Sequence, residues 1–454
     1  MSTDQDYIAA ASKALSRRTL QLRWQYWRGE QPRVWVTPKL RAMFRTLADS
    51  MNENYCDLAI HSRTTRLEVT GWAGTQSEQA QALWDATRMP HRQADLYRWG
   101  LVYGHTYLIV AEEDDGPVIA PNRPTLVWHL PDSDDPTDVE VAVKEWWSRD
   151  GWRATVYTDT EIIRYACTDH DQKADKRPDA ARYILDPDDP GGVHGFERVP
   201  VIPIWPYGSE APVLMDSISP IQDRINKIGA NKFIAAEFGA FKQRVFFTRQ
   251  AVEDGDLKNA PDTAIVLDPG DPSNPSRVQE MSATDLANYD NAKAAEVDAL
   301  FTIALLPRHL RITGGAVPPS GRAIKADEGP LVEAIYDHHR EFGEAYIEAL
   351  GMLGIEAEPV WRSPVIGDEI DQGTAVVEFV NAGVPWQEAV KRYADWTDED
   401  VAAAEGPGTG AGLTANPSAT GAALLNAFAS APAEPLIPTG QPAGVPNGQS
   451  SEVR

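Results

Sequence analysis

The sequence predicts an α+β fold, and three observations carry that expectation. In the second half, apolar residues recur every three or four positions over many turns, as in "SPIQDRINKIGANKFIAAEFGAFKQRV" and "RAIKADEGPLVEAIYDHHREFGEAYIEALGML", which is the signature of long amphipathic helices. In the first half, "VEVAVKEWW" and "WRATVYT" alternate and are joined by "SRDG", and an Asp-Gly pair between alternating segments signals a hairpin. A turn-rich stretch, "FFTRQAVEDGDLKNAPDTAIVLDPGDPSNPSRVQEM", then separates two long helical segments, so helices and strands are segregated rather than interleaved.

Taken in chain order, residues 1–50 are rich in Arg, Trp and Tyr. Thr37 can cap a helix that has Pro38 at its first position and Leu40, Phe44, Leu47 and Met51 along one face. Its basic side reads as a solvated face. Two shorter helices follow in "SEQAQALWDATR" and "PHRQADLYRWGLVYG", the second started by Pro90 and ended by Gly104. The strand region has acidic loops, "EEDDG", "PDSDDPTD" and "DPDDP". Tryptophans beside carboxylates raise a carbohydrate-active enzyme as an alternative. Carboxylates in Pro/Gly-rich turns are solvated, however, and solvation works against the raised pKa that a general acid requires.

From Ser219, with Pro220 at the first helical position, a helix should carry Ile221, Ile225, Ile228, Ala235, Phe238 and Phe241 on one stripe and Arg224, Lys227 and Lys232 on the opposite face. After the turn-rich module, a second helix should open at Ser282 with Asp285 completing a capping box, and bury Leu286, Tyr289, Val297, Leu300 and Phe301 on the way to Pro307. Next comes "LPRHLRITGGAVPPSG", with a basic cluster (Arg308, His309, Arg311), paired glycines (Gly314, Gly315) and paired prolines, which together break the helical pattern. The pattern resumes with Leu331, Ile335, His338, Phe342, Tyr346 and Leu350. Pro330 lies inside it and should kink the helix near 326–330. His338, His339 and Glu341 lack a third ligand at metal spacing and read as ordinary helix positions. Two short helices close the ordered region, the second capped by Thr397 with Asp400, and the Gly/Pro/Ala/Ser-rich 406–454 reads as a disordered tail.

A net charge of −25 argues against a protein that holds nucleic acid by neutralising phosphates. Two cysteines, Cys56 and Cys167, offer no disulfide framework. The start "MSTDQDYIAAASK" lacks a secretory pattern and no run of apolar residues is long enough to span a bilayer, so the reading is a soluble cytoplasmic protein without membrane contact. No residue pattern calls for a cofactor or a metal, and no catalytic centre is expected.

Five blocks in fixed order resemble the portal (connector) proteins of tailed double-stranded DNA bacteriophages, siphophage type. They are "YWRGEQPRVWVTPKLRAMFRTLADSMNENYCDLAIHS", "RVPVIPIWPYG", "SISPIQDRINKIGANKFIAAEFGAFKQR", "SGRAIKADEGPLVEAI" and "NAGVPWQEAVKRYADWTDEDV", and they span roughly residues 20–405. The resemblance implies a wing of helices plus antiparallel strands at 1–216, a first stem helix at 217–243 and a small α/β clip at 244–281. It further implies a second stem helix at 282–306, a tunnel loop at 307–322, a long kinked helix returning to the wing at 323–371 and crown helices at 372–405. It implies a ring, a homododecamer at one capsid vertex, assembled in the host cytoplasm and retained in the virion as the conduit for DNA packaging and ejection. Its implied partners are duplex DNA bound without sequence preference, the major capsid protein, the terminase motor, the head-tail adaptor and a scaffold protein. Arg308, His309, Arg311, Thr313, Gly314, Gly315 and Ser320 become the DNA-facing tunnel-loop residues, and Arg224, Lys227, Lys232, Asp285, Asp290, Glu296 and Asp298 the channel-facing stem candidates. Glycine and proline would give such a loop its reach, and the basic residues could touch phosphates without reading bases, or instead pair with carboxylates of a neighbouring subunit. A capsid or adaptor subunit is a further alternative, although two long helices bracketing a small module fit neither well.

Overall fold

The computed structural model describes residues 2–32, 52–113, 116–167, 173–240, 244–247, 270–271, 273–275, 277–280, 285–311, 321–365, 376–380, 382–393 and 401. The expected Thr37 helix, the Thr397 cap and the 406–454 tail lie outside them. The chain divides into two compact units, Met1–Pro364 and Val365–Arg454.

The first unit opens with α1 (Ser2–Leu15), whose Ile8, Ala11 and Leu15 fall on one face and are buried. Helix α2 (Arg18–Arg28) ends at Gly29, where a left-handed φ of 71° lets the Glu30 N–H reach back to the Gln25 carbonyl at 2.8 Å. Helix α3 (Tyr55–Thr64) is capped by Asn54, whose Oδ1 accepts the Asp57 N–H at 3.2 Å. Strand β1 (Val69–Ala73) precedes α4 (Ser77–Ala86) and α5 (Met89–Tyr103). Both helices match the sequence reading, with Pro90 in the first turn of α5 and Gly104 at φ 92° just past its end. A side chain at Gly104 would collide with Val213, so steric room reinforces the backbone requirement there.

Strands β2 (Thr106–Glu113), β3 (Gly116–Asn122) and β10 (Val201–Ile204) form a three-stranded antiparallel sheet in the order β10-β2-β3. Strands β4 (Val127–Pro131), β5 (Val139–Ser148), β6 (Gly151–Tyr157), β7 (Glu161–Cys167) and β8 (Tyr183–Leu185) follow one another in a second antiparallel sheet, with β9 (Gly191–Val193) also on β7. The expected hairpin is β5–β6. Its loop residues are Arg149 and Asp150, and Gly151 is already paired with Ser148 at φ 121°. Val141, Val143, Trp152, Ala154 and Val156 pack beneath α1. Glu145 is fully buried under the same helix, where its carboxylate accepts from Ser12 and Tyr183 at 2.9 Å and ion-pairs with Arg177 at 2.8 Å.

The acidic loops close turns. Asp132 accepts the Asp134 and Asp135 N–H groups, Asp135 accepts from Thr137, and Asp189 pairs with Arg164. Bonding to Thr137 holds the Asp135 carboxyl below its ordinary range, the opposite of what a general acid requires.

Helix α6 (Leu214–Ala240) begins more than a turn before the expected start, and Pro220 lies inside it rather than at its first position. The cause is burial: Leu214, Met215 and Ile218 extend the Ile221 and Ile225 stripe upstream, so apolar packing outweighs the hydrogen bond that proline removes. Ile228 is only half-buried, and the side chains of Phe238 and Phe241 are outside the described residues. The module that follows is antiparallel, with β11 (Arg244–Phe247) on β14 (Arg277–Glu280) and β12 (Gly270–Asp271) on β13 (Asn274–Pro275).

Helix α7 (Ala287–Ile303) starts later than expected, with Leu286 at its N-cap position and the Asp285 carboxylate just before it accepting the Ala287 N–H at 2.9 Å; Ser282 is outside the described residues. Val297, Leu300 and Phe301 are buried as expected, while Leu286 and Tyr289 are half-buried. Helix α8 (Gly321–Met352) runs unbroken through Pro330. Its stripe Leu331, Ile335, His338, Phe342, Tyr346 and Leu350 is buried throughout. Strand β15 (Glu358–Trp361) then returns to pair antiparallel with β1. The faces of α3 to α8 share one core, in which Tyr97 Oη and Tyr346 Oη are 3.0 Å apart.

In the second unit, α9 (Trp386–Tyr393) buries Trp386, Ala389 and Val390 with Val376 and Val401. Among the described residues no helix is long and apolar enough to cross a membrane, and no group of His, Cys, Asp and Glu is arranged to hold a metal ion.

Candidate functional site

The candidate site is built from α6, α7, α8 and the connection between α7 and α8. Helices α6 and α7 lie antiparallel, as their ion pairs show: Arg224 Nε meets Glu296 Oε2 at 2.9 Å, and further along Lys232 meets Asp290. Lys293 of α7 also reaches Glu53. Four of the expected stem candidates therefore pair with one another across the two helices. Such exposed pairs contribute about 0–1 kcal/mol each and chiefly fix the register. Asp285 accepts the Ala287 N–H just ahead of α7, Asp298 receives Arg311, and Lys227 is half-buried on α6.

Helix α6 is tied to the chain before α3 by two buried amides that the sequence reading missed. Gln222 accepts the Tyr55 N–H and donates to the Glu53 carbonyl, each at 2.8 Å, and Asn226 Oδ1 accepts the Glu53 N–H at 3.1 Å. Both amides lie on the buried side of the helix, beside Ile221 and Ile225.

The connection leaves α7 through Leu305, a non-glycine residue at φ 52°. The Leu305 N–H bonds the Thr302 carbonyl at 3.3 Å and the Leu306 N–H the Phe301 carbonyl at 2.8 Å, which is the reversed pair of bonds that normally has glycine at this place. Left-handed backbone costs a side-chain-bearing residue about 1–2 kcal/mol. Leu305→Gly is therefore expected to raise the unfolding free energy by about 0.5–1 kcal/mol, since glycine's greater freedom when unfolded offsets part of the gain. Urea denaturation checks this, and a loss of stability would show that the half-exposed Leu305 side chain makes contacts worth more than the backbone strain.

After Pro307, Arg308–Leu310 forms a single 3₁₀ turn, and the basic cluster meets carboxylates of its own chain. The Arg308 N–H donates to Asp327. The His309 ring lies between Asp327 (3.8 Å) and Glu328 (3.5 Å), and Arg311 pairs with Asp298. The acid partners are thus intramolecular, on α7 and α8. The Arg308 side chain is exposed. These groups border a cavity of about 600 Å³ lined by Asp298, Phe301, Leu305, Arg308, Arg311 and Asp327. Thr313, Gly314, Gly315 and Ser320 lie outside the described residues.

Glu328 anchors this root. It is buried, and Arg66 Nη2 reaches its Oε1 at 3.1 Å. Sequence reasoning passed over it, although the signal was present: Glu328 continues the Leu331, Ile335, His338 stripe backwards at helical spacing, and a charge on a buried stripe implies a buried partner. Arg63 stands in the same relation to Cys56, Ala59 and Ile60 of α3. His338 Nδ1 bonds the Pro206 carbonyl at 2.9 Å and His339 stacks on Trp361 at 4.4 Å.

No family model matches the chain, and no curated protein matches it. Among solved structures it is similar to a chain in the neck of an empty gene transfer agent particle, at 13% identity over 78% of this chain and 92% of that one, with a TM-score of 0.45. It is also similar to a chain in the virion of a native gene transfer agent particle, at 14% identity over 75% of this chain and 89% of that one, with a TM-score of 0.39. Likeness at this level leaves the functional argument to the residues themselves.

Proposed function

We propose that this chain is a structural subunit of a phage-like head, and more specifically a portal subunit that closes into a dodecameric ring around passing duplex DNA. The observation that carries the reading is the order of elements: two antiparallel long helices bracket a small β module, a basic connection follows, and then comes a longer helix whose end returns a strand to the first half of the chain. The portal resemblance of the sequence implies the same order of stem, clip, stem, tunnel loop and long helix.

The charges of the helical pair support a wall that does not grip DNA. Arg224 and Lys232 are neutralised by Glu296 and Asp290, and Arg311 by Asp298, leaving the exposed Arg308 beside them. A ring presenting many free cations would bind duplex tightly through multivalency and act as a brake. Terminase, adaptor and capsid protein are the proposed partners, and no catalytic role is assigned.

The test is electron microscopy and sedimentation of the purified protein, with duplex DNA titrated at several salt concentrations. Closed rings with weak, salt-sensitive and sequence-independent DNA binding are expected. A protein that remains monomeric at all salt and protein concentrations, or that selects a DNA sequence, overturns the reading.

A further inference from the structure

Arg63 sits where a charged side chain is costly. It exposes 3% of its surface, and among the described residues its guanidinium donates only to neutral carbonyls, Nη1 to Ala59 at 2.9 Å and Nη2 to Ala304 at 2.7 Å. Among the described residues Nε has no hydrogen-bond partner and no carboxylate lies within ion-pair distance. Burial pushes its pKa below the ordinary arginine range. Buried guanidinium groups are normally matched by an anion, so this one is unusual.

A second group points the same way. Arg63 and His338 line one cavity of about 420 Å³, walled on its apolar side by Tyr207, Leu214, Ile303 and Leu305. Because a carbonyl only accepts, His338 Nδ1 must carry its hydrogen toward Pro206, which leaves the lone pair on Nε2. Nε2 is buried and has no partner among the described residues. Asp337 and Glu341 also border the cavity, but Asp337 is exposed and paired with Arg340, and burial with the neighbouring Glu344 shifts Glu341 toward its neutral form.

We propose that this cavity binds a carboxylate carried on an apolar body, with the carboxylate meeting the Arg63 guanidinium. The arriving negative charge favours protonation of His338 at Nε2, so binding takes up a proton from solvent and tightens as pH falls. The carboxylate comes from a free small acid or from an Asp or Glu side chain of a second copy of this chain. The site stands on its own residues and does not depend on the portal reading.

The probe is benzoate, titrated calorimetrically at pH 8 and pH 5 in buffers of different ionisation enthalpy, with benzamide as the neutral isostere. The titration is run on the assembled protein and on protein dissociated by dilution. The expected result is saturable binding of one benzoate per chain, roughly tenfold tighter at pH 5 with proton uptake, and no comparable binding of benzamide. Arg63→Gln should weaken binding by about tenfold or more. Since Arg63 also holds the end of α7 and the variant can misfold, Ala334→Phe, which fills the cavity without touching Arg63, should abolish binding in a folded protein. Sedimentation during the titration separates the sources: release of assembled protein by benzoate assigns the carboxylate to a second copy, and unchanged assembly assigns it to a free acid. Absence of saturable benzoate binding in both forms, or equal binding of benzamide, overturns the proposal.

Discussion

Glu328→Ala is expected to lower the unfolding free energy by about 3–5 kcal/mol, because it removes one partner of a buried ion pair and leaves the other behind. Glu328 exposes 4% of its side chain and its partner Arg66 17%, so neither charge can regain much hydration without local opening. The same substitution removes one of the two carboxylates beside His309. Hydrogen exchange should therefore accelerate at the Leu310 and Arg311 amides, which close the 3₁₀ turn onto Pro307 and Arg308. Arg340→Ala is the contrast: its pair with Asp337 is exposed at 71% and 61%, and its loss should cost about 0.5 kcal/mol or less. Urea denaturation of the two variants decides the matter, and equal losses would show that Glu328 is not an anchor. Glu328→Gln, which keeps the shape and one acceptor for Arg66, should fall between them.

This anchor also shows where sequence reading stops. The stripe from Leu331 to Leu350 was legible because its regular helical spacing leaves few alternatives, and burial follows it residue by residue. Helix ends were less legible. Pro220 and Ser282 both look like starts by local chemistry, yet tertiary burial of Met215 and Ile218 carries α6 past the first, and α7 begins at Ala287, well beyond the second. The pairing of β1 with β15 joins strands far apart in the sequence, and no local pattern encodes such a partner. The basic cluster was legible as a cluster, but its acid partners Asp327 and Glu328 were not, since they lie one helix further along and only the fold brings them back.

The other large effect is acid destabilisation, and its direction follows from buried histidines, His105 and His338 foremost, with His129 and His339 shifted the same way by burial. Burial, with His129, Arg23 and Arg17 nearby, holds the pKa of His105 down at about 3, and burial with Arg63 adjacent holds His338 at about 4. Asp337 and the Pro206 carbonyl oppose the fall at His338 without cancelling it. Above about pH 6.5 both rings are neutral whether the chain is folded or not, so they contribute no pH dependence. As pH falls below that value the unfolded chain binds protons that the folded chain refuses, and stability drops until the folded pKa values are reached. A tenfold difference in proton affinity between the folded and unfolded chain corresponds to about 1.4 kcal/mol, so the full loss is on the order of 3 kcal/mol or more for each ring, a large fraction of a typical domain's stability. Burial raises the Glu145, Glu341 and Glu348 carboxyls, and these work in the opposite direction, adding stability as pH falls through their raised values toward the ordinary carboxylate range. The histidine shifts are the larger, so between about pH 6.5 and 5 the histidines dominate and the urea midpoint should fall steadily across that window. His338→Gln keeps an N–H for the Pro206 carbonyl while removing the titration, so it should flatten the profile measurably at pH 5 and leave pH 7.5 nearly unchanged. A wild-type midpoint that is the same at pH 5 and pH 7.5 would mean that both rings reach solvent when protonated, and that the core around Tyr207 and Arg63 opens more readily than its packing implies.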